Sequence, residues 1–293
     1  MAMCTLLMIT HDRLAYTQKS LRRLLESEGD FSLWLWDNGS TDGTADLVVS
    51  YEAHPRVERI RLEPENVGQN IPFQWMVSES RSPIVGKVDD DCLMPRRWID
   101  PIGKAITTHP DLGAVGCWTF WPEDFDEKVG GHKIRTFGQH RILTNISIGG
   151  TGILLRRELC RTFLLPTTFA IPIDQSHMAA AGLVNGWYYP LLWAEHMDDP
   201  RSTRCMLNSA DTVTANYALT ARRLGHGTAS EYLDWIRSDC DRMLREPTER
   251  QIRRWRTAQA KKRIRRKARS AMNALRGLWT RNDATTSMED AAT

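Results

Sequence analysis

Ile84-Val85-Gly86-Lys87-Val88-Asp89-Asp90-Asp91-Cys92-Leu93-Met94-Pro95 is the stretch on which the reading of this chain turns. Ile84, Val85 and Val88 are β-branched and follow Ser82-Pro83, so the stretch begins as a short buried strand. Three carboxylates then crowd its end. Asp89, Asp90 and Asp91 repel one another, and so dense a cluster is costly inside a fold unless a cation or a hydrogen-bonding ligand joins it. Carboxylate oxygens suit Mg2+ or Mn2+, and Mg2+ is usually held by one or two carboxylates together with substrate phosphates. The alternative is an acidic turn in which the Asp residues cap and bend the chain.

Outward from this strand, the chain alternates. Cys4 to Ile9 is a continuous apolar run, and Ala15 to Leu25 carries Leu21, Leu24 and Leu25 among basic residues, an amphipathic helix. Phe31 to Trp36 reads as a strand, Thr44 to Tyr51 as a helix, Val57 to Leu62 as a strand and Ile71 to Ser80 as a helix. This β-α-β-α-β-α-β order predicts an α/β fold with a mostly parallel sheet covered by helices, in which ligands bind outside the carboxyl ends of the strands.

The loops at those ends are polar: Thr10-His11-Asp12-Arg13, then Asp37-Asn38-Gly39-Ser40-Thr41-Asp42-Gly43-Thr44, then Glu63 to Asn70. A strand ending in D-N-G-S-T-D-G-T, followed by N-x-G and a D-D-D strand end, resembles the nucleotide-sugar-binding half of the family-2 glycosyltransferases of the GT-A fold. The resemblance covers the first two thirds of the chain. It implies a transferase that moves a sugar from a nucleotide-diphosphate sugar donor to a hydroxyl acceptor with Mg2+ or Mn2+ as cofactor. Asp37 matches the acid that accepts hydrogen bonds from the base or ribose, with Thr10, Arg13 and Asn38 lining the same pocket. Asn66 and Gly68 match the N-x-G loop beside the nucleotide, where a plain β-turn is the other reading. The D-x-D falls on Asp89 and Asp91, one touching ribose or metal and the other ligating the metal, while Asp90 faces away or shares that role.

Farther along, Trp98 to Thr107 reads as a helix and Ala114 to Thr119 as a strand, and a loop rich in Trp, Gly and His follows. Ile148 to Leu155 resembles the small-residue strand beneath the donor sugar. Asp174 opens a short helix, Met178 to Ala181, ahead of an aromatic strand, Trp187 to Tyr189. By resemblance Asp174 is the catalytic base, although Ile173 stands where the family often has Glu; its other reading is a helix cap. After an apolar run from Tyr188 to Trp193 comes Glu195-His196-Met197-Asp198-Asp199-Pro200-Arg201. His196 is a candidate further metal ligand, with a structural or acceptor-binding loop as the alternative.

The chain has 293 residues, 41% hydrophobic and 26% charged, enough for one large domain and an extension. Six scattered cysteines lack metal or disulfide spacing, which fits a reducing cytoplasm, and the first apolar run is too short for an export signal. The expected organisation is a catalytic domain over 1–220, a helical extension over 221–281 and a disordered tail over 282–293. Helices are expected from Ser230 to Arg245 and from Glu249 to Trp279. The second carries ten basic residues from Arg253 to Arg269, with Ile264, Ala268, Met272, Leu275 and Trp279 at helical spacing, although the formal net charge is only +3. Such a helix suits an anionic membrane surface on the cytoplasmic face, which favours a lipid-linked acceptor. A homodimer contact and nucleic acid are the other partners it can take. Three further readings stand beside the lipid-linked acceptor: a catalytically silent nucleotide- or glycan-binding protein, a glycosyltransferase acting on protein or nucleic acid, and a nucleotidyltransferase. The last would carry a Gly-rich basic loop after the first strand, and Thr10 to Arg13 is not one.

Overall fold

Alternate residues of the leading strands are buried in two separate cores, so the sheet is covered on both faces. The computed structural model describes residues 2–165, 172–206 and 219–289. Strands β1 (Cys4–Thr10), β2 (Phe31–Asn38), β3 (Val57–Glu63) and β4 (Ile84–Asp89) run parallel in the order β3-β2-β1-β4. Leu6 and Met8 of β1, Leu33 and Leu35 of β2, and Ile84 and Val88 of β4 enter one core. Leu7, Trp34, Trp36 and Val85 enter the other. That is the period-two alternation of a pleated strand. Fully burying each such side chain is worth roughly 1.5–3 kcal/mol, so a one-residue slip in register would be heavily penalised.

Helices α1 (Leu14–Leu25) and α4 (Ile99–Thr108) cover the first face with Leu21, Leu24, Ile102 and Ile106, joined by Val48 of α2 (Thr44–Val49). The second face is covered by Phe73 and Met76 of α3 (Asn70–Glu79) and, farther along the chain, by Cys160 and Phe163 of α6 (Arg157–Phe163) and Met178 of α7 (Gln175–Ala180). The predicted elements of this half recur with ends shifted by one or two residues. The short α5 spans Glu127–Gly130.

Past β4 the topology departs from simple alternation. β5 (Cys92–Leu93) leaves the main sheet, which continues through β6 (Leu112–Gly116), β7 (Ile134–Phe137), β8 (His140–Thr144), β9 (Ile153–Arg156) and β10 (Val184–Tyr189) in the order β4-β9-β6-β10-β8-β7. β9 is antiparallel to both β4 and β6. The small-residue stretch expected as a strand from Ile148 is a loop until Ile153, because Gly152 turns the chain at φ +61 and donates its N–H to Lys87 O at 2.8 Å. The loop expected between Phe120 and Asn145 contains the β7–β8 hairpin. The strand expected to reach Trp193 ends at Tyr189, ahead of Pro190, which has no N–H to continue a ladder. The chain re-forms a strand at β11 (Glu195–His196), which pairs antiparallel with β5 and sets His196 opposite Cys92.

Helices α8 (Leu219–Leu224), α9 (Ala229–Arg245) and α10 (Thr248–Glu289) follow. Thr228 and Glu231 form a capping box at the start of α9, with Glu231 N donating to Thr228 Oγ1 at 3.2 Å. The chain divides into two compact units, Met1–Thr248 and Glu249–Thr293. Helix α9 therefore belongs with the first unit, whereas the sequence reading begins the extension at residue 221. Its Cys240 and Leu244 are buried beside Trp118 and Trp187. In the second unit the helix continues to Glu289, past the expected start of the tail at Asn282, with no Pro after Thr248 to stop it. Residues 290–293 lie outside the described residues. Among the described residues, no helix is long and apolar enough to cross a membrane.

Candidate active site

Register brings the functional strand ends level. Thr10 pairs with Asp37 across β1 and β2, and Ile9 pairs with Asp89 across β1 and β4. The sheet order reverses direction between β1 and β4, the switch point where open α/β sheets bind ligands. The first two loops are laced together there. Asp12, at φ +47, accepts from Thr41 N at 2.6 Å and donates its own N–H to Ser40 Oγ at 3.0 Å. An Asp tolerates that left-handed conformation better than most side chains. At Gly39, φ is +70 and an added Cβ would lie 2.8 Å from Glu65 Cα, so this position requires glycine.

A cavity of about 280 Å3 opens at these ends. Thr10, Arg13, Asn38, Asn66, Gly68, Asp89, Asp90, Asp91 and His196 all line it, so nine of the proposed site residues face one space. Asn38 ties two loops: its Oδ1 accepts from Trp36 Nε1 at 2.9 Å and its Nδ2 donates to Gly68 O at 3.0 Å. Asn66 Oδ1 accepts from Gly68 N at 2.9 Å, so the N-x-G segment is an Asx turn as well as a wall. Asp37 is buried behind that wall, where its carboxylate accepts from Thr10 Oγ1 at 2.8 Å, Ser40 Oγ at 2.6 Å and Ser40 N at 2.8 Å.

The three adjacent Asp residues are held in three ways. Asp89 pairs with Lys87, while its N–H donates to Thr151 Oγ1 at 2.9 Å. Asp90 turns inward beside Thr17 Oγ1 at 3.3 Å. Burial, against the pull of Arg13 and with repulsion from Asp91 and Asp89, pushes Asp90 up to about 7. Asp91 accepts from Arg13 at 2.7 Å and faces His196 Nε2 at 3.8 Å. Burial raises its pKa, but His196 and Arg13 outweigh burial and hold the carboxyl well below its ordinary value. His196 shows the reciprocal effect: burial lowers its pKa, yet Asp91 and Asp198 carry it above the usual histidine value.

Among the described residues, one group of three metal-competent side chains occurs, Asp91, Cys92 and His196, with ligand atoms within 4.8 Å of one another. The oxygen and nitrogen of Asp91 and His196 fit Mn2+ or Mg2+ chemistry. Cys92 fits less well. Burial pushes its thiol well up, and its Sγ donates to Asp91 Oδ1 at 3.2 Å, so it supports the carboxylate. Asp89 stands outside this group.

A second cavity, about 400 Å3, meets the first at Asp89 and His196. Its lining includes the loop from Ser147 to Thr151 and one face of α9. Asp174 lines neither cavity; it is half-buried and accepts from His177 N at 2.9 Å as the cap of α7. The next residue, Gln175, bonds both Ile148 N and Ile148 O, anchoring the helix start to the cavity loop. Residues 166–171 before it lie outside the described residues. The polar cluster around His196 divides. Asp198 accepts from Arg13 at 2.6 Å, whereas Asp199 joins Arg201 and Asp124 in a separate network with four contacts of 2.7 to 2.9 Å. Gln69 and Thr151 lie in stretches expected at the site, whereas Lys87 and Arg223 join it without having been singled out in the sequence. A lysine inside an otherwise apolar strand is the signal available for Lys87.

Residues 5–164 match the family description "Glycosyl transferase family 2". No curated protein matches the sequence. Among solved structures, a mannosyltransferase, PcManGT from Pyrobaculum calidifontis in complex with GDP-Man and Mn2+, aligns with TM-score 0.53 and 20% identity over 82% of this chain and 73% of that one. S. aureus TarS 1-349 aligns with TM-score 0.50 and 13% identity over 67% of this chain and 61% of that one. At these identities the likeness concerns the fold: a central, mostly parallel sheet flanked by helices.

Proposed function

This chain belongs to glycosyl transferase family 2 and is a glycosyltransferase; we propose that it moves a hexosyl group from a nucleotide-diphosphate sugar to a hydroxyl acceptor, inverting the anomeric carbon. The observation that carries the reading is the convergence of Thr10, Arg13, Asn38, Asn66, Gly68, the three Asp residues and His196 on one cavity at the sheet's switch point. A silent binding protein has no need of Asp89, Asp91 and Asp174 together.

In this reading the nucleotide lies against Thr10, Asn38, Asn66 and Gly68. Asp37, which lies behind Thr10 and Ser40 rather than on the cavity lining, braces that wall and offers a base N–H or ribose hydroxyl its Oδ2, which carries a single internal donor. Asp89 and Asp90 border the ribose and diphosphate. Asp91 and His196, with Asp89 beside them, would hold Mn2+ or Mg2+, which when bound would supply positive charge against the leaving diphosphate. Arg13 holds Asp91 and Asp198 in place. Asp174 takes the proton from the acceptor hydroxyl as its oxygen bonds to the anomeric carbon and the bond to the diphosphate breaks. Gln175 anchors the start of α7 to the Ser147–Thr151 loop, which sets Asp174 one residue from the cavity wall although Asp174 itself lines neither cavity.

The second unit is assigned to an anionic membrane surface, with a lipid-linked glycan as acceptor. Its described basic side chains from Arg253 to Arg269 are exposed, and Ile264 and Met272 are 67% and 57% exposed, two turns apart on one face. All six cysteines are free and buried, which fits a cytoplasmic location.

The test is a screen of GDP- and UDP-sugars for thermal stabilisation and hydrolysis with Mn2+ or EDTA. One donor should stabilise the protein and be hydrolysed only with metal. If no donor or nucleoside diphosphate binds under either condition, the assignment fails.

A further inference from the structure

Outside the family-matched segment, α9 presents a stripe of side chains to the second cavity. Tyr232, Ile236, Asp239 and Met243, with Trp235 and Arg242 beside them, recur at three- and four-residue intervals, so a single face of the helix lines the same cavity as Asp89 and the Ser147–Thr151 loop. The wall is firmly held. The capping box fixes its start, Cys240 and Leu244 are buried in the core, and Lys133 donates to Met243 O near its end. Tyr232 is buried and stacks with Trp235, the rings 10° from parallel with centroids 5.9 Å apart. That contact fixes the plane of the half-buried Trp235. One helical turn on, Asp239 pairs with Arg242.

A fixed aromatic face next to a carboxylate and a guanidinium has the chemistry to recognise a pyranose ring. The apolar C–H face of the ring packs on the indole, and its hydroxyls donate to Asp239 and accept from Arg242. The position decides which sugar this is. The nucleotide side of Asp89 belongs to the first cavity, whereas the α9 wall lies in the second, beyond the junction at Asp89 and His196. We infer that Trp235 and Asp239 form the acceptor subsite, that the acceptor presents its hydroxyl from a pyranose ring, and that Trp235 determines acceptor specificity. This rests on the donor assignment above, but the two are measured separately.

The experiment uses the full chain. Saturation-transfer NMR would monitor methyl glycosides of glucose, galactose, mannose and N-acetylglucosamine, together with the corresponding disaccharides. Calorimetry with GDP, UDP and Mn2+ would report the nucleotide site in parallel. At least one saccharide should bind the wild type. Trp235→Ala should weaken it by about tenfold or more, Trp235→Phe should retain most of the binding, and both should leave nucleotide affinity unchanged. Asp239→Asn should weaken the same saccharide, which keeps the test decisive if Trp235→Ala fails to fold. Arg237→Ala, exposed on another face of α9, should change nothing. A wild type that binds nucleotide but no saccharide, or saccharide binding unaffected by Trp235→Ala or by Asp239→Asn, overturns the acceptor subsite. Absence of nucleotide binding with saccharide binding intact overturns only the donor assignment.

Discussion

Arg13 lies 2.7 Å from Asp91 Oδ2, the same oxygen that faces His196 Nε2 at 3.8 Å. The other terminal nitrogen of Arg13 lies 2.6 Å from Asp198. One buried guanidinium thus holds two carboxylates that sit beside the candidate metal position, so the acidic set is already shaped by a resident cation.

Replacing Arg13 with Met should leave that set without its cation. Breaking a buried pair from one side costs about 3–5 kcal/mol, so the variant should unfold well below the wild type in EDTA. Mn2+ should recover part of the difference by supplying charge to Asp91. Thermal melts with and without Mn2+ measure both effects, and equal melting in EDTA would show that Arg13 is dispensable.

Asp91→Ala should abolish metal-dependent donor binding while the fold persists, and His196→Ala should weaken metal affinity. Calorimetric titration of Mn2+ and nucleoside diphosphate, repeated in EDTA, reads the effect directly. Donor binding to Asp91→Ala that matches the wild type would remove Asp91 from the metal site.

Asp174→Asn should bind donor normally and lose transfer by about 10²-fold or more. The cap itself should survive, because an Asn oxygen can still accept from His177 N. Single-turnover transfer beside a donor titration separates the two roles. Wild-type turnover in this variant would reduce Asp174 to a helix cap.

A chain ending at Thr248 should fold and bind donor, because the first compact unit ends there and Thr248 Oγ1 donates to Thr144 O at 3.1 Å. It should no longer sediment with anionic vesicles. Each basic side chain removed takes away about 1 kcal/mol of attraction at low salt. The full chain should cosediment, and progressively less so as salt rises. Full-length protein that ignores vesicles but binds duplex DNA or RNA would redirect the second unit to nucleic acid.

Asp42 offers a pH test independent of the metal position. Burial raises its pKa, yet hydrogen bonds from Thr44 Oγ1 at 2.6 Å, Leu14 N at 2.9 Å and Thr44 N at 3.0 Å hold it below its ordinary 3.8. A depressed folded value means that this stability is fully present above 3.8 and is lost as pH falls through the folded value. Asp42→Ala should therefore be less stable near neutrality by a few tenths of a kcal/mol, since solvent screens this exposed carboxylate, with a gap that narrows under acid. A gap that stays constant from neutral to strongly acidic pH would count against the ionised carboxylate.

Some of this was legible in advance because the signal is local. The unbroken apolar run through Leu6, Leu7 and Met8 records burial on both faces, and glycine at position 39 marks a turn that other residues enter with strain. Nine of the residues that line the first cavity follow from strand ends and the loops after them, whose place in a sheet is set by the order of elements. Asp37 was foreseen at the end of β2, but not its burial behind Thr10 and Ser40. The stretch from Ile148 was misread because small apolar residues fit a strand or a loop equally well, and only the positive φ of Gly152 separates them.

The alternating α/β order, the positions of the loop carboxylates and the basic character of the last helix can be read along the chain, because each is a pattern among near neighbours. The tertiary structure alone decided which partner each charge has. Arg13 and Asp198 are 185 residues apart, and His196 reaches Cys92 only through the two-residue pairing of β5 and β11. The turn of α9 toward the second cavity belongs to the same class. Hydrophobic period reports that a face is buried but carries no record of what lies opposite, and a hydrogen bond between remote residues depends on a distance that no local pattern encodes.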